Sequence, residues 1–98
     1  MAERVRVVFS GAVQGVGFRY TARDAARRVG VTGWVRNLSD GSVETMCEGE
    51  RECLVRFLAA IRQGPMRDNI RDMATSWSEA TGEFARFEIR PTAPAGPE

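Results

Sequence analysis

Val5, Val7 and Phe9 alternate with Arg4, Arg6 and Val8, and a period of two is the spacing of a strand with one buried face. This strand ends at Gly11, where the chain enters a glycine-rich segment, residues 11–17. Beyond it Phe18, Ala22, Ala25, Ala26 and Val29 recur at helical spacing and make one apolar stripe. Arg27 and Arg28 occupy the last turn, where cations suit the carbonyl end of a helix, and Gly30 supplies a C-cap. The helix therefore stops near Val29.

Residues 32–37 and 42–48 read as a second and third strand, joined through Leu38, Ser39, Asp40 and Gly41, where the Asp-Gly pair carries the turn chemistry of a hairpin. Leu54, Phe57, Leu58 and Ile61 fall at i, i+3, i+4 and i+7, with Glu50 and Glu52 at the opening and Gly64-Pro65 at the close. They predict a second amphipathic helix. Residues 70–78 and 84–90 read as two more strands around the turn-rich 79–83. The closing run PTAPAGPE, residues 91–98, holds three of the four prolines and reads as a disordered tail. The order β-α-β-β-α-β plus one strand implies an α+β, ferredoxin-like split βαβ domain over residues 1–90, an antiparallel sheet with two helices on one face. That fold hosts many activities and names none.

At 98 residues, 43% hydrophobic and 28% charged, the chain has the size and balance of one globular domain. Its 14 basic residues are all arginine, set against 13 acids and no histidine. This composition excludes Ser-His-Asp and Cys-His pairs, lysine Schiff bases, a Walker lysine and histidine metal sites. Arg, Asn, backbone amides, carboxylates or thiols must carry any chemistry. Cys47 and Cys53 have neither CxxC spacing nor enough partners for zinc, and read as reduced thiols in or near the core. Charges at Glu3, Arg4 and Arg6 break the run a signal peptide needs, and no apolar stretch approaches the roughly 20 residues of a membrane span. A cytoplasmic monomer is expected.

The chemically informative stretch is Gly11-Ala12-Val13-Gln14-Gly15-Val16-Gly17-Phe18-Arg19. Glycines let a backbone approach a ligand and turn successive N–H groups into one concavity, and a helix N-terminus adds partial positive charge. No Ser, Thr, Asp or Asn stands between Ala12 and Phe18 to cap the helix, which leaves its first amides for a ligand. Arg19 adds a guanidinium fork suited to phosphate oxygens. Tyr20 occupies the place of the last glycine of GxGxxG, and Walker A lacks its Gly-Lys, so neither nucleotide motif is met. From these residues alone, an anion site and a plain strand-to-helix turn both remain open. Gly33, Val35 and Asn37 share one face of the second strand and Trp34 and Arg36 the other, but nothing in the spacing brings Asn37 near Arg19.

The run VQGVGFR at 13–19, followed by GWVRN at 33–37 and DGSVE at 40–44, closely resembles the acylphosphatase family. The match extends from Val5 to Gly49, weakens over the second helix, and returns faintly at residues 87–89. The resemblance implies metal- and cofactor-free hydrolysis of small acyl phosphates to carboxylate and inorganic phosphate. It also implies that backbone amides of Gln14, Gly15, Val16, Gly17, Phe18 and Arg19 cradle the phosphate, that Arg19 clamps it, and that Asn37 orients the attacking water. The substrate's own phosphate would help to deprotonate that water, which suits a chain without a side-chain base.

Three other readings compete. A catalytically idle phosphate-binding module would keep the same loop. RNA binding on a ferredoxin-like sheet lacks the aromatic RNP1 pattern, and Trp34 and Trp77 read as packing residues rather than stacking platforms. The same resemblance also occurs inside larger hydrogenase-maturation carbamoyl transferases, which are much longer than this chain. Arg19, Arg23 and Arg27 repeat every four residues and steer anions or simply solvate a helix face, the latter with an Asp24–Arg28 pair. Residues 1–40 carry a net +4 and residues 41–98 a net −3, an asymmetry that fits a small anionic ligand and is too weak to imply nucleic acid. No membrane partner is expected.

Overall fold

The computed structural model describes residues 2–96. Strand β1 (Ala2–Gly11) leads into helix α1 (Phe18–Val29), then β2 (Thr32–Asn37), β3 (Val43–Glu50), helix α2 (Arg51–Arg62), a 3₁₀ turn (Arg67–Asn69), β4 (Ile70–Glu79) and β5 (Phe87–Ile89). The sheet order is β4-β1-β3-β2-β5. The first four strands pair antiparallel, as a ferredoxin-like sheet requires.

The alternation along β1 sets the core. Val5, Val7 and Phe9 are fully buried and meet Cys47, Thr45 and Val43 of β3 in register. Phe18, Ala22, Ala25 and Ala26 of α1 and Leu54, Phe57, Leu58 and Ile61 of α2 close over the same face. Phe9 and Phe18 pack with tilted rings, centroids 4.9 Å apart, and Phe57 and Phe87 do so at 6.0 Å. Cys47 is packed there as a small apolar side chain, and burial pushes its thiol up to about 12. Both cysteines are free. No helix is long and apolar enough to cross a membrane among the described residues.

Two expectations change in detail. The sheet is mixed rather than antiparallel throughout, because β5 runs parallel to β2 along the edge. The cause lies in the connection from β4, which turns back across the end of the sheet where β2 begins and is anchored there on Glu48 of β3. That carboxylate accepts from Thr81 N at 2.8 Å and Gly82 N at 2.9 Å. Strand β5 is also shorter than the expected 84–90, since residues 80–86 serve as this crossing. Of the expected tail, Pro97 and Glu98 lie outside the described residues. Within 91–96, Ala93 N donates to Asn37 O at 3.0 Å, Ser39 N to Ala93 O at 2.9 Å, and Ala95 N to Ser39 Oγ at 2.9 Å. This segment thus borders the end of β2.

Candidate active site

The turn between β1 and α1 is shaped by glycine. Gly15 and Gly17 have φ of 74° and 84°, a left-handed conformation that side-chain-bearing residues rarely adopt. Gly17 is the N-cap of α1 and offers no side chain to the helix amides. The first helical bond runs from Thr21 N to Gly17 O at 3.1 Å, which leaves the amides of Phe18, Arg19 and Tyr20 on the loop side. Gly15, Val16 and Gly17 are exposed, while the Phe18 side chain is buried under Phe9 and only its backbone belongs to the loop.

The β1 end of this loop is tied down by two side-chain amides. Gln14 Nε2 donates to Leu38 O and to Ser42 O, each at 2.8 Å, and so staples the loop to the β2–β3 turn. That turn is itself held by Asp40, whose Oδ1 accepts from Ser42 N at 3.0 Å and Ser42 Oγ at 2.6 Å; both bonds keep its carboxyl below the ordinary aspartate range. On the other side Asn69 Nδ2 donates to Ala12 O and Ala12 N to Asn69 O, both at 2.9 Å. A Cβ at Gly11 would collide with the Asn69 carbonyl oxygen, so this close approach needs glycine. Sequence reasoning valued Gln14 for its backbone amide and passed over Asn69 altogether. Nothing in the spacing signalled either side-chain contact, because each partner lies far along the chain.

The strand register places Asn37 relative to the end of β1. Val43 of β3 pairs with Phe9 on one side and with Asn37 on the other, which puts Asn37 two strands from Phe9, about 10 Å across the sheet. It shares the helix-side face with Val35, one residue before the Leu38 carbonyl that Gln14 holds. Asn37 Oδ1 is buried and has no hydrogen-bond partner among the described residues, a costly state for an amide oxygen unless a ligand completes it.

The arginines divide by face. On the side of the sheet opposite the helices, Arg6 and Arg36 both bind the buried Glu44, at 2.6 and 2.8 Å, and Arg4 binds Glu48 at 2.7 Å. Arg36 and Arg90 cover Trp34, with Cζ 4.4 and 5.4 Å from its ring centroid. Trp77 lies under Arg51 at 4.2 Å. Both tryptophans are therefore packing residues. Arg19, half-buried on the first turn of α1, has no ion pair or side-chain hydrogen bond among the described residues. Further along that helix, Asp24 faces Arg23 at 3.5 Å rather than Arg28, and Arg27 donates to Phe87 O at 3.3 Å. No group of three or more acid or thiol ligands stands ready for a metal among the described residues.

A family model described as acylphosphatase matches residues 5–89. Curated acylphosphatases of Pelotomaculum thermopropionicum and Anaeromyxobacter dehalogenans are 45% and 46% identical to this chain, over 88% and 92% of it and 94% and 99% of their own lengths. A crystal structure of acylphosphatase from Bacillus subtilis superposes with a TM-score of 0.84 at 34% identity, covering 90% of this chain and 98% of that one. Full-length HypF in a phosphate- and nucleotide-bound form gives 0.89 at 27% identity, over 98% of this chain but 13% of that one.

Proposed function

Since the chain belongs to the acylphosphatase family and hydrolyses acyl phosphates to carboxylate and inorganic phosphate, we propose that the loop of Gln14, Gly15, Val16, Gly17, Phe18 and Arg19 holds the phosphoryl group while Asn37 orients the attacking water. The observation that carries this reading is the unpartnered Asn37 Oδ1, buried beside a loop whose amides face the same end of the sheet. A water donating to that oxygen would be held with a lone pair free for phosphorus.

In phosphoryl transfer the charge spreads over the three equatorial oxygens, and amide dipoles with a guanidinium stabilise it without reorganising. The free amides at the start of α1 and Arg19 supply both. The leaving group is a carboxylate, a stable anion, so no general acid is required. The proton of the water passes to a phosphate oxygen of the substrate, the route that the family resemblance implies and one that needs no side-chain base. Every step is carried by the substrate and this chain's own groups, so the reaction runs without metal or cofactor. The same reading keeps the enzyme a cytoplasmic monomer acting on small acyl phosphates, with no nucleic-acid or membrane partner.

The test is hydrolysis of benzoyl phosphate with a chelator present. Wild-type enzyme turns it over; Asn37→Ala loses about a hundred- to a thousandfold in kcat, the usual loss for one preorganised group, and keeps its affinity for inorganic phosphate. Arg19→Ala loses phosphate affinity and turnover together. An Asn37→Ala enzyme of near-normal kcat removes the assigned role. A folded wild type that turns over neither benzoyl nor acetyl phosphate reduces the loop to an anion-binding module.

A further inference from the structure

Three large apolar side chains stand exposed among the described residues, and two of them are at the phosphate loop: Val16 within it, 40% exposed, and Tyr20 directly after it, 56% exposed. The third, Val55, half exposed, lies away on α2. Singly exposed apolar residues are ordinary, but a pair flanking an anion site bears on what the anion is attached to. Tyr20 follows buried Phe18 by two positions, about 200° around the helix, which points it away from the core. Helical side chains lean toward the N-terminus, so the ring leans over the turn that presents the free amides. The Arg23 guanidinium lies 5.2 Å from the ring centroid and braces it from the following turn.

Entering and leaving oxygens lie roughly in line through phosphorus. With the water on Asn37, at the sheet side of the loop, the acyl group must depart on the opposite, solvent side, where Val16 and Tyr20 stand.

We propose that Val16 and Tyr20 form the rim on which the acyl group of the substrate lies, making Tyr20 a specificity-determining residue that favours aromatic or extended apolar acyl phosphates over acetyl phosphate. This rests on the assignment of the phosphate to the loop and of the water to Asn37. It goes beyond that assignment by naming the side of the site that senses the acid.

The experiment compares kcat/KM for benzoyl and acetyl phosphate in the wild type, Tyr20→Ala, Tyr20→Phe and Val55→Ala. A methyl group is too short to cover the ring, so Tyr20→Ala lowers the benzoyl-to-acetyl ratio about tenfold, the low end for one apolar contact, and the change appears in KM. Tyr20→Phe keeps the wild-type ratio because the ring is retained, and Val55→Ala keeps it because that side chain is remote. An unchanged ratio in Tyr20→Ala, or a loss in Tyr20→Phe as large as that in Tyr20→Ala, overturns the proposal while leaving the hydrolase intact. A wild type inactive on both substrates overturns the underlying reading and this one with it.

Discussion

Gln14 donates both amide hydrogens to carbonyls of another turn, and this gives it a role that its neighbours in the loop do not share. Gly15 and Gly17 set the backbone shape, but shape alone does not fix where the loop sits relative to Asn37. The staple to Leu38 and Ser42 does, because Leu38 follows Asn37 directly. In Gln14→Ala two part-buried carbonyls each lose one of two donors, Leu38 O keeping Gly41 N and Ser42 O keeping Leu38 N, which costs about 1–2 kcal/mol of stability, measurable by urea unfolding. Turnover of benzoyl phosphate is expected to fall about tenfold or more at a temperature where the variant is fully folded, since small misplacements at a reacting centre are expensive. Wild-type kcat in a destabilised Gln14→Ala enzyme would show that the loop finds its place without the staple. At this scale the sequence exposed the residue types and left their partners hidden. Arg19 and Asn37 stand out through the two motifs, whereas the contact between Gln14 and Leu38 spans 24 positions, and that between Asn69 and Ala12 spans 57.

Elements with a buried face were legible, and those defined by what they cross were not. The β1 alternation and the α1 and α2 stripes each report a single buried side, so their positions followed from periodicity to within a few residues. The direction of β5 depends instead on how 80–86 returns across the sheet, and Glu48 decides that. This carboxylate is only 5% exposed. Burial alone would push its carboxyl up, but the amides of Thr81 and Gly82, with Arg4 and the Thr81 hydroxyl, outweigh burial and hold it below the ordinary glutamate range. A group depressed in the folded state gives its stabilisation in full above its unfolded pKa and loses it as pH falls through the folded value. Glu48→Gln should therefore be less stable than the wild type at pH 7, by on the order of 2 kcal/mol for lost charge-assisted bonds, and the gap should close as the pH is lowered through and below the usual carboxylate range. Urea midpoints at pH 7 and at about pH 3 check this; a gap independent of pH would mean that shape rather than charge holds the crossing.

Across the whole molecule, folding redistributes the charge asymmetry that the sequence displays. Arg4, Arg6 and Arg36 belong to the basic N-terminal part, but the sheet pairs them with Glu44, Glu48 and Glu83 from the acidic remainder. Helix α1 keeps an excess of arginine, with Arg19, Arg23, Arg27 and Arg28 set against Asp24 as the helix's single acid. A positive field on the helix that opens at the proposed phosphate loop would draw a dianionic substrate to that end of the protein. Raising ionic strength from about 0.01 to 0.15 M shortens the Debye length from about 30 to about 8 Å, and kcat/KM for benzoyl phosphate should fall about threefold or more as that attraction is screened. The double variant Arg27→Gln/Arg28→Gln should lose most of this salt dependence with little change in kcat, because neither side chain reaches the loop. Arg56→Gln/Arg62→Gln removes the same charge from α2 and should leave the slope as it is. Equal slopes in the two double variants would assign the effect to net charge and deny α1 a steering role.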